Sequence, residues 1–342
     1  MKKKYITAII GFGKLGILYT CLSNIHESTN LKYIVEPNFI LRIFLKKRLK
    51  NVNILKDIKD LKNKALDLVF VTTPNFTHFE ISKFLIKNTD ANLFIEKPLA
   101  ISLNEIKKLN ELSKFKKKKI QVGYMLRYCK TYILTKDIID KKKFGKVVKF
   151  SCSMFSSQVF AETNNWRFRK ERAGGGVLIT QNSHLIDLIQ WFFGLPKNIY
   201  ANTRKIFSKN VEDEVSANFE YENFSGTLET SWSKKGYRNL TTNIEIFFEN
   251  GSIKVNEDQL EIKPNFNEES NNQINKVSTF SPNFFDLAGD YYSAQFSDFI
   301  DLENKHNKIN NIDDSLKIHH IIESIYASSE KKKKIEIDEN FS

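Results

Sequence analysis

The chain has 342 residues, with 53 Lys and Arg against 40 Asp and Glu, a formal charge of +13, and 41% apolar residues. That length suits roughly two domains and a core burying about three quarters of the extended surface. No run of about eighteen uncharged apolar residues occurs, which argues against a membrane-spanning helix. The three cysteines, Cys21, Cys129 and Cys152, lack metal-like spacing and fit a reduced cytoplasm.

The positive excess lies largely in lysine runs at 116–119, 141–143 and 331–334, each beside an apolar segment, the pattern of a solvated helix end. Lys far outnumbers Arg and no recognition motif accompanies it. The charge is therefore read as solubility or attraction of an anionic substrate, and no nucleic-acid partner is expected.

At the start, MKKK precedes an apolar run that could be a secretion signal or a strand, turn and helix. Lys14 interrupts the run, no small-x-small site follows at 18–23, and residues 1–20 are expected to remain in the mature protein. Residues 5–10 read as a strand, and Gly11, Gly13 and Gly16 follow at G-x-G-x-x-G spacing. In a dinucleotide-binding turn the first glycine allows the bend, the second admits pyrophosphate, and the third lets helix meet strand. Gly11, Phe12, Gly13, Lys14, Leu15 and Gly16 are thus cofactor-loop candidates. A second strand, 31–35, ends in Glu36, whose carboxylate can accept from an adenosine ribose and would repel a 2′-phosphate. NAD is expected over NADP. A solvated strand-end acid is the alternative for Glu36.

Further strands are expected at 51–55, 66–72, 92–95 and 120–124, with helices at 77–87 and from Ser102, where S-x-x-E suggests a capping box, to 115. Alternating strands and helices predict a doubly wound parallel sheet, α/β, over residues 1–122. Ligands lie beyond the carboxyl ends of such strands. Three ends carry polar groups: Thr72, Thr73, Pro74 and Asn75 with His78; Glu96 and Lys97; and Tyr124 with Arg127. Desolvation of Lys97 at that edge would lower its pKa toward proton-transfer chemistry. A surface lysine in a turn fits the same residue.

After about residue 145 the pattern changes. Strands are read at 146–155, 199–207, 214–221, 226–232, 243–248 and 252–255, with Asn250-Gly251 as a hairpin signal. Residues 123–342 therefore form an α+β domain with a large, mostly antiparallel open sheet. Residues 256–283, polar and Asn-rich, read as a surface excursion, and 313–329 as an amphipathic helix. Between the strands at 146–155 and 199–207 lies GGGVLITQNSHLIDLIQWFFG, 174–194. A helix from Val177 to Gly194 would set Thr180, His184 and Asp187 on one face. His184 suits an acid or base, and equally a core histidine. No third ligand accompanies His184 and Asp187, so no metal is expected.

GFGKLG, TTPNFTH, FIEKP, VGYMLRY and GGG-x7-H-x-x-D, in this order, resemble the Gfo/Idh/MocA oxidoreductases over nearly the whole chain. The resemblance implies a Rossmann domain followed by a domain whose open sheet mediates a homodimer or homotetramer. Nicotinamide would lie near Lys97, and a sugar-type substrate between the domains. It also implies catalytic roles for Lys97, in contact with the reacting hydroxyl, and His184, as partner acid/base or orienter. Many members have aspartate where this chain has Thr180, which can hydrogen-bond substrate but holds no charge. The GGGVL-T form also resembles members acting in surface-polysaccharide pathways.

The expected function is an oxidoreductase using NAD, less favourably NADP, on a sugar, nucleotide-linked sugar or cyclitol, with no membrane partner. Arg127 and Arg167 suit a phosphate or carboxylate clamp, and Trp166 a sugar-stacking surface. A dinucleotide-binding sensor or assembly protein that has lost turnover is the competing reading, with Thr180 as its trace.

Overall fold

The computed structural model describes residues 4–117, 119–265, 275–278, 290–301 and 311–338. The chain opens with β1 (Tyr5–Ile10), α1 (Lys14–Ile25), β2 (Thr29–Val35), α2 (Phe39–Arg48), β3 (Asn53–Leu55), β4 (Leu68–Val71), α3 (His78–Asn88), β5 (Asn92–Ile95), α4 (Leu103–Lys116) and β6 (Ile120–Val122). It continues with α5 (Lys130–Asp140), β7 (Val147–Phe155), α6 (Lys170–Ala173), α7 (Val177–Thr180), α8 (Ser183–Phe193), β8 (Asn198–Arg204), β9 (Glu214–Glu220) and β10 (Ser225–Ser231). Last come β11 (Thr241–Phe248), β12 (Gly251–Val255), β13 (Gln259–Pro264), β14 (Asn275–Ser278), α9 (Asp290–Ile300), α10 (Ile312–Lys331) and β15 (Ile335–Glu336).

Two compact units result, residues 1–124 with 292–316, and 125–291 with 317–342. In the first, six parallel strands stand in the order β3-β2-β1-β4-β5-β6. All four residues of β4 are buried, because a parallel sheet is covered on both faces. The order reverses between β1 and β4, whose carboxyl ends therefore flank the ligand crevice of a doubly wound sheet. The single boundary expected at 122/123 leaves 292–316 in the wrong unit. Phe296, Phe299 and Ile300 of α9 are buried against Tyr19, Phe70 and Phe94, with Phe70 and Phe296 stacked at 5.2 Å. No element was expected at 290–300.

Among the described residues the second unit has nine strands in the order β14-β13-β12-β11-β7-β10-β9-β8-β15. All neighbours are antiparallel except β7 and β10. Buried and half-exposed residues alternate along β11, which makes it a one-sided strand. Gly226 of β10 lies opposite Phe150 of β7, and a Cβ there would stand 2.0 Å from the Phe150 ring. The missing side chain leaves room for that ring, which stacks on Phe193 of α8 at 4.2 Å and ties helix to sheet.

Several local expectations shift. The hairpin forms, but Phe248 pairs with Gly251, so Glu249 and Asn250 make the turn. A Cβ on Gly251 would lie 2.9 Å from Lys263 O, so close strand approach accounts for that glycine. Part of the excursion read at 256–283 is strand, β13 and β14; its remaining residues lie largely outside the described ones. Ser102 accepts from Glu105 N, but the Glu105 carboxylate reaches Ile101 N, so the capping box is displaced by one residue. The three lysine runs do fall at helix ends: α4 stops at Lys116, α5 at Asp140 and α10 at Lys331.

Candidate active site

In the first unit the glycine loop has the geometry that its spacing implies. Gly11 sits at φ +89, where an L side chain is strained, and its N–H donates to Val35 O at 2.9 Å. A Cβ on Gly16 would come within 2.1 Å of Gly11 O, so α1 can pack on the loop only with glycine there. Gly13 differs: a Cβ on it would meet nothing within 4 Å. It is the N-cap of α1, with no side-chain cap and no acid in the first turn. Open space before an uncapped helix N-terminus is where a pyrophosphate fits, since backbone N–H groups and the helix dipole both favour anions. Lys14 and Leu15 begin that helix and Phe12 precedes it.

Glu36 is buried and braces this loop. Its two carboxylate oxygens accept from Phe12 N at 2.9 Å and Asn38 N at 2.8 Å. Each oxygen retains lone-pair capacity, so the carboxylate fits a ribose hydroxyl donor as well. Across the crevice, the Thr72 hydroxyl donates to the Ile10 and Gly11 carbonyls. Thr73 accepts from Thr77 Oγ1 at 2.6 Å, while Pro74 and Asn75 begin the following turn. These residues fit a dinucleotide.

His78 does not sit among the ligand-facing groups. It is 0% exposed, with Nδ1 2.7 Å from Pro98 O and Nε2 2.8 Å from Thr73 O. Burial holds its pKa below the ordinary value, although both carbonyls favour the protonated ring. It clamps the loops after β4 and β5 together. Glu96 is likewise internal: Tyr19 donates its hydroxyl to Oε1 at 3.1 Å and Lys97 N donates to Oε2 at 3.2 Å. Gly123 leaves the space, since a Cβ there would be 2.8 Å from the carboxylate. Burial pushes the Glu96 carboxyl up to about 7, against the lowering pull of Lys97. Lys97 is half-buried at the end of β5, and its peptide bond to Pro98 is cis.

In the second unit the helix expected from Val177 to Gly194 is broken. Gln181 N and Asn182 N both donate to Val177 O, α7 ends, and α8 restarts with Leu185 and Ile186 bonding back to Asn182 O. Thr180 and His184 therefore belong to different helices and do not share a face. Thr180 Oγ1 donates to Gly176 O at 2.6 Å, and His184 is 8% exposed in the first turn of α8.

Gly174 ends α6 at φ +83, and the two glycines after it are explained by residues that spacing did not point to. Glu212, buried between β8 and β9, accepts from Gly176 N at 2.8 Å and Leu178 N at 3.0 Å, and from the Tyr326 hydroxyl at 2.9 Å. A Cβ on Gly175 would meet Tyr326 Oη at 2.0 Å, and one on Gly176 would meet Glu212 O at 2.0 Å. Gly175 and Gly176 are glycine because the Tyr326 phenol and the Glu212 backbone carbonyl press against them. The sequence hint was an acidic run, Glu212-Asp213-Glu214, leading into β9.

Two substrate candidates are corrected. Arg127 is 1% exposed and grips Asp187, with Nη2 2.6 Å and Nε 3.0 Å from Oδ1 and Gln190 Oε1 3.1 Å away. A guanidinium so buried and so engaged anchors α8 and is not placed as a substrate clamp. Tyr124 is wholly buried. Trp166 and Arg167, by contrast, form a short surface turn in which the guanidinium lies 5.1 Å from the indole centroid.

Residues 6–124 match the model of an oxidoreductase family with an NAD-binding Rossmann fold, and residues 132–254 match the Gfo/Idh/MocA C-terminal domain. The chain belongs to the Gfo/Idh/MocA family. Curated relatives include Oxidoreductase P35 of Formosa agariphila, 28% identical over 49% of this chain and 54% of its own, and the inositol 2-dehydrogenase of Salmonella paratyphi B, 28% identical over 40% and 38%. The chain spans about half the length, or less, of the curated relatives it matches. Among solved structures, levoglucosan dehydrogenase with NADH and levoglucosan superposes with a TM-score of 0.85 at 21% identity, covering 98% of this chain and 100% of that one. An NAD-binding oxidoreductase from Klebsiella pneumoniae gives 0.86 at 16%, covering 98% and 100%. These likenesses establish the Gfo/Idh/MocA fold for both units.

Proposed function

We propose that this protein is an NAD-dependent oxidoreductase moving hydride between nicotinamide and a hydroxyl-bearing or carbonyl carbon of a sugar, nucleotide-linked sugar or cyclitol. The observation that carries this is the open space at Gly13, before an uncapped helix, with the Glu36 carboxylate bracing the same loop. It supports a dinucleotide, and Glu36 supports NAD over NADP through repulsion of a 2′-phosphate. Bound nicotinamide would supply the hydride acceptor or donor. Lys97, at the carboxyl end of β5, is assigned the proton of the reacting hydroxyl, and His184 the role of second acid/base or orienter. Thr180, Trp166 and Arg167 are assigned to substrate.

Relatives named for inositol and levoglucosan support a polyhydroxylated ring as substrate. The GGGVL-T segment supports extending that class to activated sugars of surface-polysaccharide synthesis. A cytoplasmic homodimer or homotetramer, joined through the nine-stranded sheet, completes the reading.

The test is absorbance at the reduced-nicotinamide band with protein and NAD, against free sugars, cyclitols and nucleotide-linked sugars, beside Lys97→Ala. A substrate-dependent signal lost in the variant is expected. Equal signal in the variant removes Lys97 from the mechanism, and NAD binding without turnover on any substrate supports the sensor reading.

A further inference from the structure

We infer that α2 is a lipid-contacting element that docks the first unit on an anionic bilayer surface. A helix of a doubly wound sheet ordinarily buries an apolar stripe and shows water its polar face. Here the exposed side is the apolar one: Phe39 is 66% exposed, Ile40 75%, Ile43 42% and Phe44 51%, while Leu45 alone among the ten residues is buried. Positions 39, 40, 43 and 44 fall on one side of the helix. A contiguous patch of this kind marks an interaction surface.

The charge around the patch selects the partner. Between Pro37 and Leu55 the chain carries Arg42, Lys46, Lys47, Arg48 and Lys50 and no Asp or Glu. The Arg42 and Arg48 guanidinium carbons each lie 5.7 Å from the ring centroids of Phe39 and Phe44, so cations and aromatic rings sit at one level. Arg42 also bonds the Glu36 and Pro37 carbonyls, and Asn38 caps the helix by accepting from Leu41 N. Leu45 is anchored in the core with Ile34 and Ile54, which gives the patch a rigid mount.

A second copy of the chain is a poor occupant, since a two-fold contact would oppose these five cations to their equals, and the whole molecule is +13. Interleaved phenylalanine, isoleucine and basic residues on one short helix match the headgroup boundary of an anionic membrane. There, apolar side chains enter the acyl edge, and each cation near the surface contributes about 1 kcal/mol, roughly fivefold in binding. Binding of this kind needs no spanning helix, and no helix among the described residues is long and apolar enough to be one.

The experiment is co-sedimentation of the full chain with phosphatidylcholine vesicles, with and without phosphatidylglycerol, at low and high salt. Retention only on the anionic vesicles, reduced by salt, is expected. A Phe39→Ser/Phe44→Ser variant and a Lys46→Glu/Lys47→Glu variant should each bind at least about 25-fold more weakly, with unchanged thermal unfolding. Absence of retention on anionic vesicles overturns the proposal. So does retention that both variants keep, because diffuse charge would then suffice. Self-association of the wild type that the variants lose, without vesicle binding, would assign the patch to a second copy.

Discussion

Arg127 and Asp187 form a buried fork, with Nη2 2.6 Å from Oδ1 and side chains 2% and 0% exposed. The pair joins the 3₁₀ turn after β6 to the middle of α8, beside the Arg127 bond to Gln190 of the same helix. Removing one member leaves an uncompensated charge in the core. Asp187→Ala is expected to cost about 3–5 kcal/mol in urea unfolding, whereas Arg127→Met with Asp187→Leu should recover most of it. If the double variant is no more stable than the single one, the stranded charge is not the cause.

Glu96 predicts a pH dependence. Its carboxyl is raised to about 7 in the folded protein by burial, above its ordinary value near 4.5. Between those values the native state holds a proton that the unfolded chain has released, so this group's contribution to stability falls as pH rises from about 4.5 to about 7. Glu96→Gln keeps an acceptor for Tyr19 and does not titrate. Stability measured across that window should decline less steeply in the variant than in the wild type, and parallel curves would show that Glu96 ionises unperturbed.

The glycines of the first loop separate binding from folding. Gly13→Ala places a methyl in open space, so thermal unfolding should be unchanged while NAD affinity drops about tenfold or more as pyrophosphate loses its close approach. Gly16→Ala drives a methyl to 2.1 Å from Gly11 O and should lower the melting temperature itself. Equal effects of the two substitutions on titration and melting would contradict this division.

Glu212 and Tyr326 predict a coupling. Glu212→Gln turns an NH2 toward one of two backbone N–H donors and should cost about 1–3 kcal/mol. Tyr326→Phe removes one donor to the same carboxylate and should cost about 1 kcal/mol. Because both act on one network, the double variant should cost less than the sum, and strict additivity in a double-mutant cycle would place them in separate networks.

Local chemistry made much of the molecule legible. Residues 5–10 read as a strand, the turn at Gly11 needed positive φ, and Ser102 opened a helix, because propensity, turn conformation and capping act over a few residues. The glycine loop and the end of β2 were therefore readable as a cofactor site, and the lysine runs as helix ends.

The helix expected from Val177 to Gly194 shows where that reading stopped. Its apolar period persists across Gln181 and Asn182, yet the backbone breaks there, with Glu212 holding the N–H groups at one end and Arg127 gripping Asp187 beyond. The partners stand 36 and 60 residues away. His78 and Arg127 were mistaken for ligand-facing groups for the same reason: each sits where a ligand contact was expected, but a carbonyl or carboxylate distant in sequence takes its hydrogen bonds. The sequence by itself determined the strands, turns and charge of this protein, since those follow from neighbours in the chain. Only the tertiary structure decided which polar side chains are spent inside, because burial and pairing depend on residues that meet after folding.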